Sequence, residues 1–122
     1  VVEGGWSARG GHEALRGLPD DTTVTAVVAA NDRVATGVVR AAHERGWRVP
    51  DDLSVFGWDD TEMGRFGTPS LSTVAIDRAR QGSEAMGRLI AQLRGTEPPP
   101  PDRTSLHTVI PRESTGPAPV RP

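Results

Sequence analysis

Two pairs of polar residues stand out because each directly follows an apolar stretch: Asn31-Asp32 follows 25–30, and Asp59-Asp60 follows 53–58. Such groups could bind a metal ion, assist phosphoryl transfer or hold sugar hydroxyls. A carboxylate suits the last task, because its two oxygens offer about four lone-pair sites and can accept from two neighbouring hydroxyls. The same residue types also cap helices by accepting from free backbone N–H groups. At 31–32, the helix cap and the ligand contact both remain open, and they are compatible.

Catalysis and metal binding find little support in the sequence. All 14 basic residues are arginine, so the lysine required by receiver domains, P-loops and Schiff-base enzymes is missing. The Asp-x-Asp spacing of haloacid-dehalogenase-type phosphatases and the Gly-x-Ser-x-Gly motif of hydrolases are absent. The chain has no cysteine, and its three histidines lie far apart. We predict no catalytic residue, metal site or cofactor; a helix cap or solvated loop is the alternative for Asp59-Asp60 to hydroxyl binding.

Trp6 is a further candidate, because it follows the stretch 1–5, which predicts the last residues of a strand and its turn. An indole ring can stack on the apolar face of a sugar. A core or rim position is nevertheless more common for tryptophan. The sequence alone leaves both interpretations open.

The elements that position these residues follow an α/β order. The stretch 25–30 predicts a buried strand, and 53–58 predicts a second one. Between them lies a helix that ends at Gly46, with one apolar face made by Val34, Ala35, Val38, Val39 and Ala42. Nearly continuous apolar strands joined through a helix are typical of a parallel sheet covered on both faces. Because ligands bind outside the carboxyl ends of such strands, we expect the two polar pairs to meet there.

The remaining elements follow from similar signals. In chain order they are a helix capped by Ser7, a loop with one helical turn at 61–70, a strand at 71–77, a helix at 78–94 stopped by Gly95, an extended connector at 98–101, a strand at 105–112 and a frayed tail from 116.

Length and composition set further bounds. A chain of 122 residues suits one domain or one lobe of a larger domain. The net charge of −2 gives no electrostatic footprint for nucleic acid, and no apolar run approaches the roughly 20 residues of a membrane span. Because the chain starts with Val1 inside a predicted strand, we expect it to be a fragment of a longer protein.

Four stretches together resemble the lactose-repressor/galactose-repressor (LacI/GalR) family, in the same order and spacing over essentially the whole chain. They are 30–35 (Ala-Asn-Asp-Arg-Val-Ala), 46–60 (Gly-Trp-Arg-Val-Pro-Asp-Asp-Leu-Ser-Val-Phe-Gly-Trp-Asp-Asp), 68–74 (Thr-Pro-Ser-Leu-Ser-Thr-Val) and 112–115 (Arg-Glu-Ser-Thr). The resemblance implies an α/β fold: a parallel-sheet, three-layer lobe of a type I periplasmic-binding-protein-like effector domain. It also implies a repressor-type transcriptional regulator whose effector, often a sugar, binds between two lobes and controls DNA binding.

The resemblance assigns roles to individual residues. Trp6 would stack on the effector, Asn31 would hydrogen-bond its hydroxyls, and Asp59 would hold a hydroxyl pair. Ile76 stands where the family often has a glutamine that reaches the effector, and Gly5 replaces an aspartate of galactoside-responsive members, so we expect a less polar rim. The residues expected at a dimer contact are Thr36, Val39 and Phe66.

The partners implied are a small-molecule effector, a second copy of the chain and, through a helix-turn-helix domain outside this sequence, operator DNA. No membrane partner is implied, and the expected location is the cytoplasm. Two alternatives remain: a periplasmic sugar-binding protein of a transporter with the same fold, and a sugar-modifying α/β enzyme. A basic helix-turn-helix or a signal peptide at the start of the full gene would separate the regulator from the transport protein.

The resemblance also implies a division of the chain. Residues 1–77 would belong to the C-terminal lobe, 78–104 would cross over to pack on the N-terminal lobe, 105–115 would return as a strand, and 116–122 would form a flexible tail. The apolar stripe of the crossover helix would then have no sheet of its own to cover; its members are Met86, Leu89, Ile90 and Leu93. We therefore expect residues 1–122 not to fold autonomously.

Overall fold

The computed structural model describes residues 5–100 and 105–119. The described elements are α1 (Ala8–Arg16), β1 (Ala26–Val28), α2 (Asp32–Glu44), β2 (Ser54–Phe56), α3 (Glu62–Arg65), β3 (Thr73–Ile76), α4 (Arg78–Arg94) and β4 (His107–Ile110). Parts of several predictions lie outside the described residues: residues 1–4 of the strand end and turn, residue 101 of the connector, residues 101–104 of the crossover and residues 120–122 of the tail.

The chain forms two compact units. The first consists of Val1–Ala75 with Val109–Pro122, and the second of Ile76–Thr108. The candidate residues Trp6, Asn31 and Asp59 belong to the first unit, and Ile76 belongs to the second.

The first unit contains parallel strands, as predicted. β1 runs parallel to β2 in a regular register, and the alignment continues past both strands, where the Asp32 N–H donates to the Trp58 carbonyl oxygen at 2.8 Å. A parallel bridge between Phe56 and Ser72 then joins β2 to the residue before β3, and β3 pairs with β4. The predicted α/β arrangement with parallel strands is therefore confirmed.

The strands differ from the prediction in length and in burial. β1 and β2 have three residues each, fewer than the predicted stretches 25–30 and 53–58. The expectation that 25–30 is covered on both faces is wrong within the described residues. Val27 is partly buried, whereas Ala26 and Val28 are exposed, Val28 to 78%. Side chains alternate along a strand, so Ala26 and Val28 share one open face.

The core of this unit lies between the sheet and the two helices α1 and α2. Its most buried side chains are Leu15, Ala35, Val38, Ala41, Ala42, Leu53, Val55 and Leu71. The predicted helix face is buried except for Val39, which is only partly buried. The loss of apolar surface from water is the main favourable term in forming this core.

The backbones of α1 and α2 touch, and this contact requires two glycines. A Cβ atom on Gly37 would overlap the carbonyl oxygen of Ala8 and lie 2.9 Å from the His12 nitrogen, while one on Gly11 would overlap the carbonyl oxygen of Val34. The neighbouring atoms are backbone, so they cannot rotate away. Glycine therefore sets the distance between the two helices.

Helix ends follow the predicted capping residues. The Ser7 hydroxyl accepts from the Gly10 N–H at 3.1 Å, and Gly46 and Gly95 adopt positive φ angles of 74° and 65° after α2 and α4. The end of α1 has an unpredicted partner, Arg45, whose guanidinium donates to the carbonyl oxygens of Leu15, Arg16, Leu18 and Pro19. These bonds satisfy carbonyls that a helix leaves unpaired.

The second unit is dominated by α4. Its N-cap Asp77 accepts from the Arg80 N–H at 3.0 Å. The predicted apolar stripe of α4 is exposed, with Met86, Leu89, Ile90 and Leu93 between 40% and 78% accessible. No helix in the described part of the chain is long and apolar enough to cross a membrane.

We predict that Gly37→Ala destabilises the protein by about 1–3 kcal/mol, because the added methyl group forces two backbones apart. Gly17→Ala is the matched control: a Cβ there meets its nearest neighbour at an ordinary 3.4 Å, and its φ of −74° suits alanine. Urea denaturation of both variants measures the difference. Equal stability of the two variants would contradict the prediction.

Candidate functional site

The ends of neighbouring strands meet at one edge of the first unit, as the sequence predicted. The Asp32 N–H donates to the Trp58 carbonyl oxygen at 2.8 Å, and the Asp59 N–H donates to the Val74 carbonyl oxygen at 2.9 Å. These two bonds place the segment 31–32 beside 58–59, and 58–59 beside β3. The two polar pairs are therefore close together in the fold.

A groove of about 570 Å³ begins at this edge and runs along β1. Gly5, Ala30 and Trp58 line it, and they directly precede the three candidates Trp6, Asn31 and Asp59. The remaining lining residues are apolar: Gly11, Ala14, Leu18, Val24, Ala26, Val27, Val28, Ala29, Val34 and Val38. The groove thus brings together the chain segments that carry the three candidates.

Trp6 is 75% exposed. The interpretation of Trp6 as a core residue is therefore wrong, because its ring is not covered by the described residues. An exposed indole next to a groove can stack on a flat apolar surface. Stacking on an effector remains a prediction.

Asn31 caps α2, which confirms one of its two proposed roles. Its Oδ1 atom accepts from the Val34 N–H at 2.8 Å. Capping uses only the oxygen, and within the described residues no hydrogen bond engages the amide nitrogen. An asparagine side chain has two N–H donors, so the cap leaves donors for a ligand.

Asp59 and Asp60 are adjacent residues with unusual backbone angles. Both have positive φ angles, 108° and 52°, which is uncommon outside glycine. The Asp60 carboxylate accepts from the guanidinium groups of Arg112 and Arg65, the latter at 2.7 Å. Asp60 therefore belongs to an ion cluster, which the sequence did not predict.

The two arginines lower the pKa of Asp60. Hydrogen bonding from Arg112 is the largest cause, and it outweighs the opposing effect of partial burial; Arg65 adds to it. The carboxylate of Asp60 consequently stays ionised and fixed in place. A paired acid–base function for Asp59 and Asp60 is not supported by this arrangement, because one of the two carboxylates is held by arginine.

Asp32 was predicted as a helix cap or a ligand contact, and neither role fits its position. It is 1% exposed and lies in the first turn of α2, after the cap. Its Oδ2 atom accepts from the Thr61 N–H at 2.6 Å and the Thr61 hydroxyl at 3.0 Å, and its Oδ1 atom accepts from the Thr73 hydroxyl at 2.6 Å. Buried charges need such partners.

The C-terminal stretch 112–115 holds the strands together. The Arg112 guanidinium donates to the Leu71 carbonyl oxygen at 2.8 Å. The Ser114 hydroxyl donates to the Val55 carbonyl oxygen at 2.6 Å and accepts from the Ser72 N–H at 2.8 Å. This stretch is therefore structural in the described unit. The sequence had indicated that this stretch matters, since 112–115 is one of the four stretches that resemble the LacI/GalR family.

The residues expected at a dimer contact lie on the surface. Thr36 and Val39 line two adjoining grooves of about 750 and 60 Å³, together with Thr68 and Pro69. Phe66 is 76% exposed. Surface positions of this kind are compatible with a protein contact. The dimer contact itself remains a prediction.

Ile76, a predicted effector contact and the last residue of β3, is only partly buried. Among residues 5–100 and 105–119, no group of three or more histidine, cysteine or acidic residues could hold a metal ion.

Comparisons with known proteins identify the family. Residues 2–115 match the family described as a periplasmic binding protein-like domain. The HTH-type transcriptional regulator AscG of Escherichia coli K12 is 36% identical over 115 residues, which cover 93% of this chain and 34% of AscG. The HTH-type transcriptional repressor PurR of Pasteurella multocida is 36% identical over 94 residues, which cover 76% of this chain and 28% of PurR. This chain belongs to the LacI/GalR family.

Solved LacI-family structures share the fold. A sugar-binding regulator from Escherichia coli, complexed with phosphate, superposes with a TM-score of 0.78 at 38% identity, covering 91% of this chain and 40% of that one. A regulator from Arthrobacter sp. FB24, complexed with lactose, gives 0.73 at 33% identity, covering 90% and 42%. The predicted periplasmic-binding-protein-like fold is therefore confirmed. This LacI/GalR chain spans about a third of the length of its curated relatives.

We predict that Asp60 makes stability depend on pH. Its native pKa is lowered, whereas an unfolded aspartate titrates near about 3.9. Its stabilising contribution is therefore fully present above about pH 4 and is lost as the pH falls through the lowered native pKa. The stability difference between wild type and Asp60→Asn should shrink below about pH 4 in urea unfolding series.

Arg112→Gln tests the same ion pair by changing the arginine instead of Asp60. This substitution removes the largest contribution to the lowered pKa of Asp60. The difference in unfolding free energy between wild type and Arg112→Gln should therefore also shrink below about pH 4. A difference between wild type and Asp60→Asn that stays constant from about pH 6 to about pH 3 would contradict the prediction.

Proposed function

We propose that the full protein is an effector-responsive transcriptional repressor, and that this chain supplies the part of its effector-binding domain that holds a sugar. The observation that carries the proposal is that one groove is lined by the chain neighbours of all three candidates. Its lining residues Gly5, Ala30 and Trp58 directly precede Trp6, Asn31 and Asp59. An exposed indole, an amide and a carboxylate are groups that together recognise a sugar: the ring packs on the apolar face, and the polar groups pair with hydroxyls.

The relatives support a sugar as the class of effector. The Escherichia coli neighbour is a sugar-binding regulator, and the Arthrobacter neighbour was solved with lactose. In this chain Gly5 and Ile76 replace polar residues of the family pattern, so we propose a ligand that needs fewer hydrogen bonds at the rim. A contact from Ile76 itself remains part of this proposal.

DNA binding is proposed for a segment outside this chain. The net charge of −2 gives no electrostatic footprint for nucleic acid, and the named curated relatives are HTH-type regulators of about three times this length. A repressor acts where its operator DNA is, so we propose a cytoplasmic location. No catalytic step is proposed. The periplasmic transport protein is the less favoured alternative, because the named relatives are regulators.

We further propose that the protein is a homodimer and that Thr36, Val39 and Phe66 contact the second copy. Phe66 and the nearby Met63 are both more than 70% exposed, and Thr36 and Val39 line adjoining grooves. Large exposed apolar side chains beside a groove are typical of a protein contact. A symmetric dimer would use this surface on both copies.

The division of the chain is also a proposal. We propose that 1–77 and 105–115 belong to the C-terminal lobe, with 116–122 as a tail, and that 78–104 packs on the N-terminal lobe of the full protein. The exposed stripe of Met86, Leu89, Ile90 and Leu93 supports it. Burying four such side chains is worth roughly 6–12 kcal/mol, comparable to a whole domain's stability of about 5–15 kcal/mol, so the helix needs a partner surface.

We predict that Asp59→Ala in the full-length protein removes the sugar response and leaves operator binding intact. Loss of hydrogen bonds from two hydroxyls to a carboxylate should cost roughly 2–4 kcal/mol, or about 30- to 1000-fold in affinity. A thermal-shift series with monosaccharides and galactosides first identifies a sugar that binds wild type, and calorimetry then measures its affinity for the variant.

Asp21→Ala is the control for this experiment, since Asp21 is an exposed turn residue that precedes β1, whereas Asn31 follows this strand. It should bind the sugar as wild type does. Unchanged affinity of Asp59→Ala would remove Asp59 from the site. Failure of every sugar to bind wild type would overturn the proposed ligand class.

We predict that Phe66→Glu weakens the dimer. Removing a large aromatic anchor and introducing a charge at a contact should cost about 2 kcal/mol or more, or at least roughly 30-fold in the dimer dissociation constant. Thr23→Glu adds the same charge at an exposed loop position and serves as the control. Sedimentation of full-length variants over a concentration series measures the constant, and equal constants would argue against this surface.

A further inference from the structure

The carboxylate of Asp32 lies next to the proposed effector site. It is buried, so it cannot contact a ligand bound there. Asp32 is 1% exposed, so no ligand in the groove can reach it without a rearrangement. Its two oxygens accept from three donors, which come from Thr61 and Thr73. Three donors on one carboxylate make a well-satisfied site for a charge, and they join α2 to two other segments of the first unit.

The backbone approaches the Asp32 carboxylate closely at two glycines. A Cβ atom on Gly64 would lie 3.2 Å from its Oδ2 atom, and one on Gly57 would overlap its Oδ1 atom. The two glycines bring the backbone of β2's end and of α3 against the carboxylate. The geometry of the three hydrogen bonds is therefore fixed by packing as well as by charge.

The bonds of Asp32 surround the turn that carries Asp59. On one side the Asp32 N–H donates to the Trp58 carbonyl oxygen at 2.8 Å. On the other side its carboxylate accepts from the Thr61 N–H at 2.6 Å. Thr73, the third partner, also accepts from the Asp60 N–H at 3.4 Å. The residues between these points, Asp59 and Asp60, have the uncommon positive φ angles of 108° and 52°.

We propose that Asp32 is a positioning residue of the effector site: it fixes the turn 58–61 beside Asn31, its own neighbour in the chain, and thereby sets where Asp59 meets the ligand. The proposal rests on the proposed function. Holding polar groups in their bound arrangement before the ligand arrives raises affinity, because less ordering remains to be done on binding. A backbone with two left-handed residues needs such support, since these conformations persist only where the surroundings impose them.

Two substitutions distinguish a role of Asp32 in positioning the turn 58–61 from a role in protein stability alone. Asp32→Ala removes all three bonds and leaves donors unpaired. Asp32→Asn preserves the shape: its Oδ1 atom can accept from the Thr61 N–H and hydroxyl, and its amide can donate to the Thr73 hydroxyl oxygen, because that hydroxyl rotates. Leu15→Ala is the matched control, since it damages the core without touching the turn. Thr73→Val, which removes one bond at constant shape, is the milder variant to use where Asp32→Ala does not fold.

Backbone hydrogen exchange in the full-length protein is the deciding measurement, because it needs no ligand. In Asp32→Ala the amides of residues 59–61 should exchange about 10- to 100-fold faster, as expected for the loss of bonds to a charged acceptor. Thr73→Val should give a smaller increase, and Asp32→Asn should stay near wild type. An unchanged exchange rate in Asp32→Ala and Thr73→Val, or an equal increase in Leu15→Ala, would overturn the proposal.

Calorimetry with lactose tests the consequence for binding. Asp32→Ala should lose at least about tenfold in lactose affinity, Asp32→Asn should recover most of it, and Leu15→Ala should bind as wild type does. Full lactose affinity in a folded Asp32→Ala variant would overturn the positioning role. Absence of lactose binding to wild type would count against lactose as a ligand of the proposed function, and the exchange rates would then decide on Asp32.

Discussion

A carboxylate removed from water needs hydrogen-bond donors, and at Asp32 this requirement joins three parts of the fold. Thr61 and Thr73 supply the donors, so the beginning of α3 and the beginning of β3 must both lie against the first turn of α2. Gly57 and Gly64 are needed for that approach, because any side chain there would meet the carboxylate. The turn at Asp59-Asp60 lies between these contacts. The shape of the strand-end surface thus depends on satisfying one buried charge.

The sequence was sufficient for the elements and their order, because helix periodicity and capping residues are local signals. Ser7, Asn31 and Gly95 each mark a helix end where the pattern predicted it. Strand lengths and burial were less predictable. An apolar run such as 25–30 indicates that a strand exists, but whether both faces are covered depends on elements that are distant in sequence. Val28 is apolar and nonetheless 78% exposed.

The candidate site was predictable in its location and less so in its roles. Polar residues after apolar strands indicated the right edge of the sheet, and Asn31 caps α2 as one of its two interpretations required. Asp32 and Asp60, however, look like exposed acids in the sequence and are held by Thr61, Thr73, Arg65 and Arg112. Those partners lie up to 52 residues away. A pairing over that distance leaves no periodic signal, and only the resemblance of 112–115 to a known family hinted at it.

The Ser114 hydroxyl reaches the Val55 carbonyl oxygen across 59 residues of chain, and this distance bears on how the protein acquires its fold. Closing so long a loop costs conformational entropy, and contacts between residues close in sequence do not offset this cost early in folding. During synthesis α1, β1, α2 and β2 can associate soon after they emerge, but the bonds from Ser114 to Val55 and Ser72 must wait until the C-terminal stretch has been made. Contacts of such separation tend to slow folding. The first unit therefore stays incomplete while the second unit, inserted within it, is translated.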